Sequence, residues 1–185
     1  MIEKVERLIR EINKMHASYS KDYFDTGKVA KVNLSRTISN VPTEHILNYR
    51  LNLHESINDY LMQADLEDVK YFYRVKTSES ILDKIRRYMD NTDQYPVNNW
   101  LNDIFGCRMI LDKKEIEAIE NLLDDWQEKY GLKNWYHRSQ DGYEGVHVYF
   151  KNRSNFYFPW ELQLWDKDHV QSNIEAHKKH KRNFV

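Results

Sequence analysis

The 185 residues are 41% hydrophobic and 31% charged, which suits one compact domain with a sizeable core and argues against two full domains. Lys and Arg number 28 against 29 Asp and Glu, so the net charge of -1 excludes a global attraction to nucleic acid or membrane and leaves only local patches. The single cysteine, Cys107, excludes an internal disulfide framework and a Cys-rich zinc site, and no apolar run is long enough to span a bilayer, so a cytoplasmic protein with no membrane partner is expected.

In chain order, Val5, Leu8, Ile9, Ile12 and Met15 recur at helical spacing, within a start too charged to carry the apolar core of a secretory signal. A polar connection is expected near residues 20–42. A second helix is expected over 43–63, with Thr43 as its cap and Ile46, Leu47, Leu51 and Leu53 as its apolar residues. From Val69 the period changes. VKYFYRVK reads as a strand, SESILDKIRRYMDN as a helix starting near Ser78 or Ser80, and IFGCRMIL as a short apolar strand. KKEIEAIENLLDDWQEKYG then reads as one helix, with Ile116, Ile119, Leu122, Leu123 and Trp126 on one face and Gly131 as its stop. Three strands follow, around LKNWYHR, GYEGVHVYFK and FYFPWELQLW, and KDHVQSNIEAHKKHKR closes the chain as a helix.

This order predicts an α+β fold, a mixed five-stranded sheet flanked by helices, with residues 1–66 as a helical segment packing on a core of residues 67–185. In the last strand, alternation turns Trp160, Leu162 and Leu164 one way and Glu161, Gln163 and Trp165 the other. The ordinary explanation for Glu161 is an edge strand with one wet face.

Four polar clusters interrupt the apolar pattern. Arg74 and Lys76 share a strand face and Ser80 and Lys84 share the face of the next helix; cations leaving a strand toward a helix N-terminus form a good polyphosphate cradle. Asp103 and Arg108 flank the start of IFGCRMIL. An acid facing phosphates needs a cation to be tolerated, and Mg²⁺ takes one or two carboxylates together with phosphate oxygens, so Asp103 and Glu161 are the candidate pair. In DGYEGVHVYF, Tyr143 can offer a ring to a purine and His147 a donor to a phosphate. Glu161 and Gln163 are the fourth cluster.

These residues resemble the signatures of RelA/SpoT-type alarmone synthetases, in the family's own order. RVKTSESILDK resembles R-x-K-x-x-x-S-I-x-x-K, DIFGCR resembles D-[LI]-x-G-x-R, GYEGVH is similar to G-Y-Q-S-L-H, and WELQLW to E-I-Q-I-R-T. NIEAHKKHK is similar to the acidic-then-His segment that closes the domain. The resemblance spans residues 74–181 and implies a small, stand-alone (p)ppGpp synthetase with a nucleotidyltransferase-like fold. Its reaction would move pyrophosphate from ATP to the ribose 3′-hydroxyl of GDP or GTP, with Mg²⁺ as cofactor and AMP as second product. It further implies that Arg74, Lys76, Ser80, Lys84 and Arg108 hold ATP, that Asp103 and Glu161 hold the metal and carry catalysis, and that Tyr143, His147, Gln163 and Arg138 bind the acceptor. In the family, such enzymes are typically homo-oligomers, commonly tetramers.

The chain departs from the pattern on the acceptor side. Glu144 and Gly145 stand in place of Gln-Ser, Trp165 in place of Arg, and Ser139 where a lysine commonly precedes the Gly-Tyr pair, with Arg138 as the candidate compensation. Two alternatives therefore stay open: pyrophosphorylation of the 3′ end of tRNA, for which the basic run His177 to Arg182 offers a backbone contact, and a non-catalytic nucleotide or RNA sensor.

Overall fold

The computed structural model describes residues 1–26, 28–90 and 95–182, the side chains of 180–182 excepted. Helices α1 (Ile2–Thr26) and α2 (Thr43–Leu61) precede strand β1 (Phe72–Val75), helix α3 (Ser78–Met89) and the short α4 (Val97–Trp100). Strand β2 (Phe105–Leu111), helices α5 (Lys113–Glu120) and α6 (Leu123–Tyr130), strands β3 (Leu132–Gln140), β4 (Tyr143–Phe150) and β5 (Trp160–Asp166), and helix α7 (Val170–Arg182) complete the chain. The five strands form one sheet in the order β1-β2-β5-β4-β3, with β2 parallel to β5 and the other pairs antiparallel. The α+β class and the mixed sheet are as the sequence order predicts.

The topology overturns the edge-strand explanation of Glu161, because β5 lies at the centre of the sheet and Glu161 is 3% exposed. One sheet face carries Phe105, Cys107, Met109, Val146, Val148, Trp160, Leu162 and Leu164, all buried in the core. Helix α1 joins that core through Val5, Leu8, Ile9 and Ile12, and Asn13 accepts from the Trp160 indole N–H at 2.8 Å. Burying such side chains stabilises the fold by about 1.5–3 kcal/mol each. The opposite face carries the polar residues, so the period-2 alternation of the strands separates core from site.

Several local expectations need correction. Helix α1 runs to Thr26, into the span expected to be a polar connection, because Tyr19 and Phe24 continue its buried stripe. Helix α2 begins with Thr43 itself and Pro42 is its N-cap, with no side-chain cap; Leu51 is 49% exposed, whereas Tyr49 and Ile57 complete the buried stripe. The helix expected over residues 113–130 is two helices. Leu122 N–H turns back to the Ile119 carbonyl, a tighter i→i−3 bond that interrupts the α-helical ladder, and the Asn121 side-chain amide also donates to the Glu117 carbonyl. Gly131 does end α6, in the left-handed conformation with φ 70° that favours glycine.

Candidate active site

Strand register builds the site in two rows across the polar face. Arg74, Gly106, Glu161 and Tyr149 lie side by side on β1, β2, β5 and β4; Phe72, Arg108, Gln163, His147 and Tyr136 form the next row and extend it to β3. Gly106 leaves room between its neighbours, since a Cβ there would lie 3.6 Å from Glu161 Oε2. A shallow pocket opens over this part of the sheet, lined by Phe72, Arg74, Gly106, Arg108, Glu161 and Gln163.

The first row continues into a cationic cluster around Asp103, which sits just before β2. Lys76 Nζ donates to Asp103 Oδ2 at 2.6 Å and Lys84 Nζ donates to Oδ1 at 3.0 Å. Lys76 reaches it from the end of β1, where its N–H is bound to the Ile104 carbonyl, and Lys84 from α3, whose N-cap Thr77 accepts from Ser80 N–H. Burial pushes the Asp103 carboxyl up, but Lys84, Lys76 and Arg74 outweigh it and hold the group well below the usual carboxylate range. Burial lowers the Lys76 ammonium, and Asp103 offsets part of that. Lys84 therefore belongs to the site, whereas Arg86 on the same helix is exposed. The Ser80 hydroxyl accepts from Thr77 Oγ1 at 3.0 Å, at the amino end of α3.

Glu161 is the hub of the second half. His147 Nδ1 lies 2.7 Å from Oε1, Tyr149 donates to the same oxygen at 2.9 Å, and Gln163 Nε2 donates to Oε2 at 2.8 Å. Arg108 donates to Gln163 Oε1 through Nε and Nη2, and its guanidinium lies 3.4 Å from the centre of the Trp165 ring. Burial raises the Glu161 carboxyl, but its contact with His147 outweighs burial, so the net direction is down. The group is a carboxylate at neutral pH.

A chain of donors runs into this hub. Trp165 Nε1–H donates to the Tyr143 hydroxyl at 2.9 Å, that hydroxyl is hydrogen-bonded to His147 Nε2 at 2.8 Å, and His147 Nδ1 faces Glu161. Tyr143 is only 6% exposed; Trp165, His177 and Arg138 surround its ring, so in this structure it has no open face on which a base can stack. Gly145 and Trp165 are coupled, because a Cβ on Gly145 would lie 3.0 Å from both Trp165 Cδ1 and the Tyr143 hydroxyl. The two departures from the resembled pattern thus fit one another. His177 turns inward, stacked on Trp165 at 5.6 Å, so it is no part of a basic surface; Lys178 and Lys179 are exposed, and the rest of that run, the side chains of 180–182, lies outside the described residues.

The structure therefore brings together Arg74, Lys76, Lys84 and Asp103 on one side and Arg108, His147, Glu161 and Gln163 on the other, with Tyr143 and Arg138 beside them. Sequence reasoning missed Tyr149 and Gly106 as neighbours of Glu161. The period-2 step from Tyr143 through His147 to Tyr149 was the signal available for the first of these.

Arg74 Nη2 lies 3.6 Å from Asp103 Oδ2 and 3.9 Å from Glu161 Oε2, so one cation already stands before both carboxylates. Both are hard oxygen donors of the kind Mg²⁺ takes, and in this structure their oxygens are engaged by Lys76 and Lys84 on Asp103 and by His147, Tyr149 and Gln163 on Glu161.

A family model described as "Region found in RelA / SpoT proteins" matches residues 73–184, more than half of the chain. The chain belongs to the RelA/SpoT family. Among curated proteins no sequence matches it. Similar solved structures include the small alarmone synthetase 1 of Bacillus subtilis bound to its product pppGpp, at 18% identity over 78% of this chain and 77% of that one, with a TM-score of 0.42. A GTP pyrophosphokinase family protein from Streptococcus pneumoniae matches at 19% identity over 76% of this chain and 72% of that one, with a TM-score of 0.44. Among the described residues, no helix of this RelA/SpoT protein is long and apolar enough to cross a membrane.

Proposed function

We propose that the protein transfers pyrophosphate from ATP to the ribose 3′-hydroxyl of GDP or GTP, giving (p)ppGpp and AMP. The observation that carries this reading is the pair of buried carboxylates, Asp103 and Glu161, facing one guanidinium beside the Lys76–Lys84 cluster, within a RelA/SpoT domain. In this reading Arg74, Lys76, Ser80 and Lys84 hold the ATP phosphates, and Arg108 steadies the donor side. His147, Gln163 and Arg138 bind the acceptor, and Tyr143 positions His147.

The acceptor oxygen forms a bond to the β-phosphorus of ATP, the bond from that phosphorus to the oxygen bridging it to the α-phosphorus breaks, and AMP leaves with the electron pair. Glu161 accepts the hydroxyl's hydrogen bond and then its proton. Three donors make Glu161 a weak base, which such chemistry tolerates because the transition state of phosphoryl-type transfer demands positioning and charge neutralisation more than a strong nucleophile. Mg²⁺ held by Asp103 and Glu161 would neutralise phosphate charge.

The test is incubation of the protein with ATP labelled in its β- and γ-phosphates together with GDP, GTP or tRNA. Label on GDP or GTP, with AMP released, supports the proposal. Label on tRNA alone, or nucleotide binding without turnover, overturns it.

A further inference from the structure

The Glu161 carboxylate is held from two sides. From β4, His147 Nδ1 lies 2.7 Å from Oε1 and the Tyr149 hydroxyl donates to the same atom at 2.9 Å. On the side of β2 and β1, Oε2 meets Gly106 and Arg74: a Cβ on Gly106 would lie 3.6 Å from it, and Arg74 Nη2 lies 3.9 Å away. The shallow pocket opens on that same side, lined by Arg74, Gly106 and Arg108 together with Glu161. Two contacts take up the lone-pair directions of Oε1, whereas Oε2 accepts one hydrogen bond, from Gln163 Nε2 at 2.8 Å.

Tyr149 is Glu161's partner across β4 and β5 and is 5% exposed. Burial and the Glu161 charge push its hydroxyl far above the ordinary tyrosine value, so it stays a donor. Its single proton is directed at Glu161, so the Tyr136 hydroxyl, 3.2 Å away, donates to it in turn. Tyr136 stands on the edge strand β3 with its ring stacked on His147 at 5.2 Å, which fixes where its hydroxyl points. Donors in series polarise one another, so the second tyrosine strengthens the bond that the first makes to the carboxylate.

We infer that Tyr149, backed by Tyr136, is a positioning residue for Glu161: it ties Oε1 to the β4 side and leaves Oε2 as the oxygen that meets the acceptor hydroxyl. A donor to the charged form keeps the carboxylate ionised, so removing it raises the pH at which Glu161 takes up a proton. A carboxylate freed at Oε1 also turns about its last bond, so chemistry slows while nucleotide binding holds.

This inference rests on the reading that Glu161 is the base for pyrophosphate transfer, and the experiment separates the two. Steady-state kinetics with ATP and GDP are followed from acid to neutral pH for wild type, Tyr149→Phe and Tyr136→Phe. In parallel Glu161 is titrated by carboxyl-carbon NMR of glutamate-labelled protein, its resonance identified by its loss in Glu161→Gln. In Tyr149→Phe the acid limb of kcat/KM and the NMR midpoint of Glu161 are both expected to move up by about one pH unit. The plateau kcat is expected to fall about tenfold, with the KM for ATP and for GDP within about twofold of wild type. Tyr136→Phe is expected to move both midpoints in the same direction by less. Because Tyr136 is 41% exposed, this second variant tests the chain without disturbing buried packing.

An active wild type whose acid limb and Glu161 midpoint stay in place in both variants overturns the inference and leaves the proposed reaction intact. A rise in either KM as large as the fall in kcat also overturns it, because Tyr149 would then serve binding. A wild type that transfers no pyrophosphate to GDP overturns the reading on which the inference rests, and the inference with it.

Discussion

Trp165 occupies the space that Gly145 leaves on the neighbouring strand: a Cβ on Gly145 would approach Trp165 Cδ1 to 3.0 Å. The same atom would meet the Tyr143 hydroxyl at 3.0 Å and the Leu164 carbonyl oxygen at 3.3 Å, so neither indole nor tyrosine can withdraw without breaking a hydrogen bond. Gly145→Ala is expected to destabilise the protein by about 1–3 kcal/mol, the usual cost of overpacking a closed site. The midpoint of urea unfolding measures it, and an unchanged midpoint would show that the strands have room to relax.

Asp103 compensates Lys76 and Lys84 and faces Arg74, and its removal leaves these cations opposed to one another. Asp103→Asn is expected to lower pyrophosphate transfer on the order of 100- to 1000-fold, comparable to losing one preorganised electrostatic contact in an active site. It is also expected to cost about 3–5 kcal/mol of stability, as breaking a buried ion pair does. Activity assays paired with unfolding curves at neutral pH separate the two effects; full activity in a folded variant would exclude Asp103 from the site.

His16 gives the fold a pH dependence of its own. It is buried, and burial lowers its pKa from 6.5 to about 3. The Asn152 amide donates to His16 Nδ1 at 3.1 Å, an orientation fixed by Arg153 N–H on Asn152 Oδ1, so a second ring proton would face a donor. Because the folded pKa lies below the unfolded one, the unfolded chain binds the extra proton between these limits. The contribution of His16 is whole above about pH 6.5 and is lost as pH falls toward 3, at about 1.4 kcal/mol per pH unit. His16→Gln is expected to have a shallower slope of unfolding free energy against pH between 4 and 6.5. Parallel slopes for the two proteins would contradict the assignment.

Much of the site was legible in the sequence because strand alternation fixes faces. Glu161, Gln163 and Trp165 do share one face, opposite Trp160, Leu162 and Leu164. What alternation could not provide was strand order: the central place of β5, and hence the burial of Glu161, depends on pairings between residues more than fifty positions apart, such as Gly106 with Glu161. The break between α5 and α6 went unread because Asn121 and Leu122 fit a helix by propensity and the tighter bond from Leu122 N–H to the Ile119 carbonyl is a local choice of the folded chain.

The buried carboxylate at the centre of the sheet carries the whole account, and Glu161→Gln tests it with little change in volume. Products from ATP and GDP are resolved by phosphorus NMR and chromatography for wild type and variant. The account predicts that wild type forms AMP and a 3′-pyrophosphorylated guanosine nucleotide in equal amounts, and that Glu161→Gln is slower by about 100-fold or more while remaining folded. Formation of ADP in place of AMP, or a Glu161→Gln variant as fast as wild type, would contradict it.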